Sequence, residues 1–343
     1  MVDIPQTEKR VDFEKKITGE AQFLDDISFS GMLHALVLRS PHAHAEIVNI
    51  NIEEALKVEG IEKIITGQDL NDEIINIDIG DHRPLAVDKV RFAGEPVAVV
   101  LAEDKWQGKK ALNLIEVEYN PLKAVLNAKD AVKDDSPLIH ENQAQYDRHL
   151  DTNYHPDSNI FRHYKLRKGN LEEAFEKADH IIENSFEYPQ RSHTQMETHG
   201  AIAKWTSDEE MEMYASTQSP FFVRSAISDM FNISDTKVTV KAGYLGGGFG
   251  GKSDVSVEPL TALVAKFVPN KYVKFTLSRE EAFNASLIAR GAEVELKTAV
   301  SKDGEILGEK VKIYFSSGAY GSTSVHIVTA AGHNSSGPYE IDN

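Results

Sequence analysis

A glycine-rich loop is the part of this sequence whose residue types most clearly suggest chemistry. Five of the six residues from Gly246 to Gly251 are glycine, with Phe249 among them, and Lys252 and Ser253 follow. Glycine adopts positive φ without strain and leaves the backbone open to close approach by a ligand. Successive backbone amides in such a loop can converge on an anion, helped by the helix that follows. We therefore predict that the loop binds an anionic group and is more than a flexible turn.

The same residues also match the phosphate-binding loop of nucleotide triphosphatases, G-x-x-x-x-G-K-[ST]. Lys252 would then reach the β and γ phosphates, and Ser253 would hold Mg²⁺. The sequence around the loop favours a triphosphatase less, because Pro259 indicates that the next helix begins several residues after Lys252. In a phosphate-binding loop, the helix begins at the lysine. No later apolar run ends in an aspartate that could hold the metal. The triphosphatase is kept as the lesser alternative.

The composition limits the other chemistry that the chain can carry. None of its 343 residues is cysteine, which excludes disulfides, cysteine zinc sites, a cysteine nucleophile and an iron–sulfur cluster on this chain. Its 54 acidic and 37 basic residues give a net charge of −17, which repels nucleic acid and anionic membranes. No signal peptide is visible, and no apolar run approaches the ~20 residues of a membrane span. We expect a cytoplasmic protein that binds neither nucleic acid nor membrane.

The sequence pattern divides the chain into two units joined by a polar segment. Alternating strand and helix patterns over residues 1–126 predict a small α/β unit. Residues 127–167 contain few aliphatic side chains, which predicts a linker across the surface. A second unit with strands and helices occupies residues 168–343. The predicted fold class is therefore α+β (mixed α/β).

Individual segments predict the elements that position the glycine loop. Residues 96–102 form an apolar run that should be a strand buried on both faces. The spacing of apolar residues predicts helices over 52–58 and 220–231. The glycine loop itself lies between a predicted strand at 238–240 and a predicted helix at 260–267. A strand–loop–helix arrangement would hold the loop backbone in a fixed place.

Four motifs, in a fixed order, resemble those of a known family. They are STQSP (216–220), GGGFGGK (246–252), SREE (278–281) and SSGAYGS (316–322). The chain resembles the molybdenum-cofactor subunit of the xanthine dehydrogenase/aldehyde oxidase family of molybdenum hydroxylases. Residues 11–125 are similar to the small hammerhead domain of that family. Residues from about 155 onward are similar to the first part of its molybdopterin-binding domain.

The resemblance implies an anionic cofactor, a molybdopterin carrying molybdenum, which in this family is often a dinucleotide. A glycine loop that offers backbone amides suits such a ligand. The pterin holds the metal, so no side chain of this chain is expected to bind molybdenum directly. The residues expected to lie against the cofactor are Gly247, Gly248, Phe249, Gly250 and Gly251.

The resemblance also implies roles for two side chains in catalysis. Gln218 matches a family glutamine that hydrogen-bonds an oxygen ligand of the molybdenum, where a neutral amide donates without adding charge. Arg290 matches an arginine that faces the substrate in xanthine-type members and would stabilise negative charge on a heterocycle. An arginine on a helix surface is the alternative for Arg290. Ser253 departs from the glutamate of animal-type xanthine enzymes, which weakens a purine assignment.

Other polar residues are interpreted as structural. His42 and His44 are two residues apart in a predicted turn, and His193 and His199 flank a predicted strand, so no helix is expected to place them as metal ligands on one face. We therefore interpret all four histidines as residues that bind no metal. Glu197 lies in a segment that matches the family near the cofactor, and we interpret it as structural and not as a catalytic base.

The function implied by the resemblance is oxidation of an N-heterocycle such as xanthine or hypoxanthine, with water as the oxygen source. An aldehyde or nicotinate-type substrate is the nearest alternative. A non-catalytic module that binds cofactor or helps assembly is the alternative of another class.

The resemblance also implies partner subunits. Electrons would leave through iron–sulfur clusters, which need cysteine ligands and therefore another chain, and through FAD on a further partner. The general-base glutamate of the family lies in a C-terminal remainder of the molybdopterin-binding region, which has no counterpart in these 343 residues. We therefore expect the isolated chain to be inactive.

Overall fold

Strands and helices alternate along the chain in a computed structural model that describes residues 10–71, 73–150, 152–206 and 209–343. The strands are β1 (Leu33–Arg39), β2 (Ala45–Asn51), β3 (Ile61–Thr66), β4 (Lys89–Val90), β5 (Pro96–Ala102), β6 (Glu116–Pro121), β7 (His180–Tyr188), β8 (Gly200–Trp205), β9 (Met211–Ala215), β10 (Val238–Ala242), β11 (Val273–Thr276), β12 (Gly291–Val300) and β13 (Ile306–Ser316). The α-helices are α1 (Phe13–Thr18), α2 (Lys105–Leu112), α3 (Ala128–Ala131), α4 (Leu171–Lys177), α5 (Pro220–Phe231), α6 (Glu258–Lys266), α7 (Arg279–Asn284) and α8 (Ser324–His333). The mixed α/β class predicted from the sequence is confirmed.

A seven-stranded sheet connects the two halves of the sequence. Its strand order is β10–β9–β8–β11–β1–β5–β3. Three of these strands come from the N-terminal region, and the other four lie after residue 199. The two sets meet where β1 pairs in parallel with β11. Main-chain hydrogen bonds therefore join the predicted units directly.

Strand β5 is buried on both faces, as its continuous apolar run predicts. The strand is buried from Val97 to Ala102. Val99 and Leu101 belong to a core shared with α5 and α6. Ala98 and Val100 face the other way, into a core shared with α2. Because successive side chains of β5 point to opposite faces, this one strand contributes to two cores.

The two helices predicted from apolar spacing have different outcomes. The helix predicted over 220–231 is confirmed as α5 (Pro220–Phe231), which starts with proline in its first turn, a favoured place for that residue. The helix predicted over 52–58 is wrong, since the structure has only a short 3-10 turn, Ala55–Lys57. Ile52 and Val58 pack against the core beside α2 from either side of that turn. The spacing of these two residues therefore reflects their burial and not a helix. The segment is too short to form a stable α-helix.

The segment between the two predicted units has little regular structure. Residues 127–167 contain the short helix α3 and a 3-10 turn, Gln143–Gln145. Gln143 and Thr152 are nevertheless buried, so part of the segment packs against the rest of the chain. The limits of the two units and of the linker stay a prediction.

Two smaller sheets complete the fold, with strand orders β13–β12–β7 and β4–β2–β6. Helices α3 and α4 pack on β13. Strand β10 stands at the edge of the seven-stranded sheet and leads into the glycine loop, after which α6 begins at Glu258. Within the described ranges, the helices are too short or too polar to cross a membrane.

Candidate active site

Gln218 and the glycine loop meet because two parallel strands end side by side. β9 and β10 pair in parallel, so the segments that follow them leave the same edge of the sheet. Gln218 Oε1 accepts hydrogen bonds from the amides of Gly250, at 3.1 Å, and Lys252, at 3.4 Å. The backbone N–H of Gln218 donates to the Lys252 carbonyl at 2.8 Å. The structure therefore brings together two motifs that lie far apart in the sequence.

Positive φ angles shape the glycine loop. The values are 98° at Gly247, 54° at Phe249 and 90° at Gly250. Glycine adopts such angles freely, whereas phenylalanine is strained there. The Phe249 ring is also 74% exposed, so packing does not compensate for the strain. A strained backbone beneath an exposed aromatic ring is typical of a site that contacts a ligand.

Several hydrogen-bond donors at the loop have no acceptor. Within the described part of the chain, the backbone N–H groups of Gly247, Gly248 and Phe249 make no hydrogen bond, and neither does the side-chain NH₂ of Gln218. The loop amides that bind Gln218 Oε1 fix the carboxamide and leave its NH₂ free to donate. Consecutive free amides form a concave donor site that suits an anion or the oxygen atoms of a cofactor. The residues present therefore fit an anionic oxygen-rich group.

Close packing within the site also requires glycine. A Cβ atom on Gly248 would lie 2.3 Å from Gln218 Oε1. A Cβ on Gly251 would lie 2.8 Å from the ring of His193. Since these distances are far below van der Waals contact, even alanine would displace the neighbouring side chain. The glycines thus serve the fold of the loop as well as access to a ligand.

A buried ion pair supports the loop from inside the protein. The Lys252 side chain is fully buried, and its Nζ lies 2.7 Å from Glu197 Oε2. The same oxygen accepts the backbone N–H of Gly246 at 2.9 Å. Burial lowers the pKa of Lys252, and the bond to Glu197 partly opposes this shift. These contacts agree with the structural role predicted for Glu197.

The environment of Lys252 also decides against the triphosphatase alternative. Its amine points into the protein, towards Glu197, and cannot reach a nucleotide held outside the loop. Helix α6 begins at Glu258, well after the lysine at which a phosphate-binding loop starts its helix. The triphosphatase alternative is therefore wrong.

A second polar group lies just beyond the glycine loop. The buried carboxylate of Asp254 accepts the hydroxyl of Thr323 at 2.8 Å, and also that of Ser322. Arg290 donates to Thr323 Oγ1 at 3.4 Å and to Ser324 Oγ. Burial lowers the pKa of Arg290, and the charge of Asp254 partly opposes this shift. Thr323 thus connects Arg290 to the carboxylate that follows the loop.

Arg290 also lines a cleft of about 360 Å³. The walls around it are mostly apolar and include Phe92, Val255, Leu260 and Leu277. Such a cleft can accept a small planar molecule with the guanidinium at one side. Arg290 is part of this lining and Gln218 is not.

The histidines of the sequence make contacts within the fold. His44 Nδ1 lies 2.9 Å from a backbone carbonyl, and the His42 ring packs edge-on against Tyr119. His199 is fully buried, and its Nε2 lies 2.8 Å from the carboxylate of Glu258. Across the described ranges, no group of three or more histidine or acidic side chains is placed to hold a metal ion.

Two features of the site were missed by sequence reasoning. The sequence pattern predicts no role for Asp254, although its position directly after the loop is a signal. For Lys252, the pattern suggests only a contact with a nucleotide. Its pairing with Glu197 has no sequence signal, because the two residues are far apart in the chain and burial decides their contact.

Comparison with known proteins agrees with this geometry. A family model described as "Molybdopterin cofactor-binding domain" matches residues 153–343. A second, "Aldehyde oxidase and xanthine dehydrogenase, a/b hammerhead domain", matches residues 18–123. This chain belongs to the molybdenum hydroxylase family. The predicted presence of a hammerhead domain and of part of a molybdopterin-binding domain is thereby confirmed.

The curated relatives of this chain have different lengths. The "Nicotinate dehydrogenase large molybdopterin subunit" of Eubacterium barkeri is 30% identical over 97% of this chain and 75% of its own length. A probable xanthine dehydrogenase component of Bacillus subtilis is 32% identical over 97% of this chain, but over only 43% of its own length. This chain therefore spans less than half of the Bacillus protein.

Solved structures share the fold of this chain. Quinoline 2-oxidoreductase from Pseudomonas putida 86 matches with a TM-score of 0.76 and 26% identity, over 89% of this chain and 38% of its own. CO dehydrogenase from Oligotropha carboxidovorans matches with a TM-score of 0.78 and 27% identity, over 89% of this chain and 39% of its own. In both structures, the shared fold is part of a chain more than twice as long.

Proposed function

We propose that this chain holds the molybdenum cofactor of a hydroxylase that oxidises an N-heterocycle, such as xanthine or hypoxanthine, with water as the oxygen source. The observation that carries the proposal is the set of free donors on Gly247, Gly248, Phe249 and Gln218. Three consecutive loop amides and the neighbouring side-chain NH₂ of Gln218 match the oxygen-rich, anionic surface of a molybdopterin. When bound, that group supplies the metal centre that accepts two electrons from the substrate.

In this proposal, the loop binds and orients the cofactor. Gly247, Gly248 and Phe249 donate backbone hydrogen bonds to it. Gly250 fixes the carboxamide of Gln218, whose free NH₂ would donate to an oxygen atom at the metal centre when the cofactor is bound. Because that amide is neutral, it binds the oxygen without adding a charge to the metal centre.

Arg290 acts on the substrate in the same proposal. It makes no direct ion pair within the described residues, since Thr323 lies between it and Asp254. Its charge thus remains available to the cleft. A fixed cation there would stabilise the negative charge that develops on a heterocycle during oxidation, and the apolar walls would strengthen this effect.

The names of the relatives support a heterocyclic substrate. Xanthine, nicotinate and quinoline appear in the names of proteins that are 32%, 30% and 26% identical to this chain. Aldehyde oxidoreductases of two Desulfovibrio species are 21% and 19% identical, which supports the fold alone. A nicotinate-type substrate is the second candidate, because the Eubacterium barkeri relative is matched over most of its length.

The proposed enzyme needs other subunits. Iron–sulfur clusters require cysteine thiolates, and this chain has none. The proposal therefore places the clusters, and FAD, on partner chains that take electrons from the molybdenum site. A further segment of the molybdopterin-binding region supplies the general base and the remaining cofactor contacts.

The test uses the complex that contains this chain, purified from its native source. Hypoxanthine, nicotinate and benzaldehyde are each supplied in ¹⁸O-labelled water with an electron acceptor. The proposal expects ¹⁸O in a hydroxylated heterocycle. Oxidation of benzaldehyde alone would overturn the heterocycle assignment. Molybdenum and pterin without turnover of any substrate would favour the non-catalytic assembly module instead.

A further inference from the structure

A second cavity, of about 380 Å³, shares part of its wall with the cleft that contains Arg290. Asp81, Phe92 and Tyr320 line both spaces, whereas Arg290 lines the cleft alone. Much of the remaining wall comes from the 127–167 segment, which the sequence predicts to be a linker. We call this space the linker cavity. It adjoins the cleft but is lined by a different set of charged groups.

Two arginines line the linker cavity without a carboxylate partner. Arg91 Nε donates to the Ile139 carbonyl at 3.0 Å, and Arg148 Nη2 donates to the Gln143 carbonyl at 2.9 Å. The Arg148 guanidinium also stacks on the Tyr154 ring. Neither arginine forms an ion pair with any carboxylate that the structure describes, although the chain has a net charge of −17. Because a partly buried cation without a counter-charge is costly, these two groups favour an anionic ligand.

The acidic groups around the linker cavity leave its positive charge in place. Asp81 lines the cavity, but burial raises its pKa to about 7, so a large share of it is protonated at neutral pH. Burial also raises the pKa of Glu95, whose carboxylate accepts the backbone N–H of Arg91. Glu141 is already paired with Lys89. The lining therefore carries more positive than negative charge.

The uncharged part of the wall suits a flat ring. Phe92, Phe161 and Phe315 contribute aromatic surface to the cavity. The Tyr146 hydroxyl lies 2.8 Å from His140 Nδ1, and burial lowers the pKa of His140 to about 4, so this histidine adds no charge at neutral pH. Aromatic rings beside fixed guanidinium groups are the surroundings that an aromatic carboxylate requires.

We propose that the linker cavity binds a small aromatic carboxylate. Arg91 and Arg148 hold the carboxylate group, and the ring packs on the neighbouring phenylalanines. The volume of about 380 Å³ lies within the range of small-molecule sites. The inference concerns this cavity alone and is independent of the substrate and of the molybdenum cofactor.

Calorimetric titration of the complex purified through this chain tests the ligand class. The probes are benzoate, benzamide and inorganic phosphate. Benzamide has the ring without the charge, and phosphate has the charge without the ring. We expect benzoate to bind about tenfold or more tightly than either of the other two. Benzoate that does not bind, or that binds no more tightly than benzamide or phosphate, overturns the proposal.

Variants of single arginines locate the bound benzoate. Arg91→Gln and Arg148→Gln should each weaken benzoate binding about tenfold. Arg167→Gln, which changes an exposed arginine, should leave the affinity unaltered. Arg290→Gln should also leave it unaltered, because Arg290 does not line the linker cavity. Loss of binding in Arg290→Gln, with normal binding in the Arg91 and Arg148 variants, would place benzoate in the cleft and overturn the proposal.

Chemical modification tests the site on the unaltered protein, in case a variant fails to fold. Phenylglyoxal reacts with arginine side chains, and the modified peptides are quantified by mass spectrometry. Benzoate, but not benzamide, should slow the modification of Arg91 and Arg148 severalfold and leave Arg167 unaffected. Equal modification with and without benzoate would overturn the proposal. Benzoate binding is measured without regard to molybdenum content, so a failure here leaves the proposed function standing.

Discussion

At the scale of residues, the candidate site depends on close contacts between the small glycines of the loop and the neutral carboxamide of Gln218. The sequence predicted that the glycine loop binds an anion, because five glycines in six positions leave the amides accessible. It could not predict that Gln218 Oε1 holds the loop through Gly250, since the two segments are brought together by strand pairing. The role of Gln218 came from the family resemblance, and its donation to the cofactor stays a prediction.

Gly248→Ala should displace Gln218. The added methyl group would lie 2.3 Å from Gln218 Oε1, so the carboxamide must move, at a cost of about 1–3 kcal/mol. We expect the molybdenum content of the purified complex to fall severalfold. Gly243→Ala is the matched control, because its methyl group meets its nearest neighbour at 3.5 Å. Equal molybdenum content in the two variants would show that the loop geometry does not serve the cofactor.

The pair Lys252–Glu197 should be strongly coupled. Lys252→Met leaves the Glu197 carboxylate without its cation and should lower the free energy of unfolding by about 3–5 kcal/mol. Adding Glu197→Gln should recover part of the loss, with a coupling of about 1–3 kcal/mol. Urea unfolding of the single and double variants measures this coupling. Purely additive effects would contradict a structural ion pair beneath the loop.

Arg290→Lys tests the role of the guanidinium. Lysine keeps the charge but cannot bind Thr323 and Ser324 together, so the cation loses its fixed position. We expect kcat/KM on the heterocyclic substrate to fall by about 10²–10³. Arg167→Lys, which changes an exposed arginine in the same way, should leave kcat/KM unaltered. An unchanged kcat/KM for Arg290→Lys would indicate a purely structural arginine.

At the scale of elements, local segments were predictable and long-range pairing was not. Strand β5 and helix α5 follow from their apolar patterns. The pairing of β1 with β11 could not be foreseen, because it depends on which strand edges remain free once both regions fold. The helix prediction for 52–58 was wrong, because apolar residues buried on the two sides of a turn can have the same spacing as apolar residues on one face of a helix.

Contacts between elements also hold the SSGAYGS segment in place. Asp81 Oδ2 accepts the Gly321 amide at 2.7 Å. The Tyr320 ring stacks on His82 with centres 4.1 Å apart, and its hydroxyl donates to the buried Glu95. The hammerhead region thus anchors the turn that leads to the hydroxyl groups around Arg290.

Burial of the Asp81 carboxyl group should make stability depend on pH. Burial raises the pKa of Asp81 from 3.8 to about 7. The folded chain therefore holds a proton that the unfolded chain releases between these values. The stability from Asp81 is fully present below about pH 4 and is lost as the pH rises through 7. Relative to Asp81→Asn, the wild-type free energy of unfolding should fall across this window.

Urea unfolding at successive pH values checks the prediction for Asp81. Buried His82 and His140, whose pKa values burial lowers to about 4, titrate in both proteins, so the difference between the two profiles isolates Asp81. Parallel profiles for wild type and Asp81→Asn would contradict the assigned shift.

At the scale of the whole molecule, composition and length point to an assembly. The absence of cysteine means that no iron–sulfur cluster can be held by this chain. The chain spans less than half of several of its relatives. We therefore expect the isolated chain to show no oxidation of hypoxanthine or aldehydes. Turnover by the isolated chain would contradict the need for partners.

Metal and pterin analysis of the native complex tests the central claim most directly. The complex is purified through this chain, molybdenum is measured by mass spectrometry, and pterin is measured by fluorescence after oxidation. Our account predicts molybdenum and pterin in equimolar amounts with the chain, and a marked loss of both in the Gly248→Ala variant. A complex that contains neither molybdenum nor pterin would contradict it.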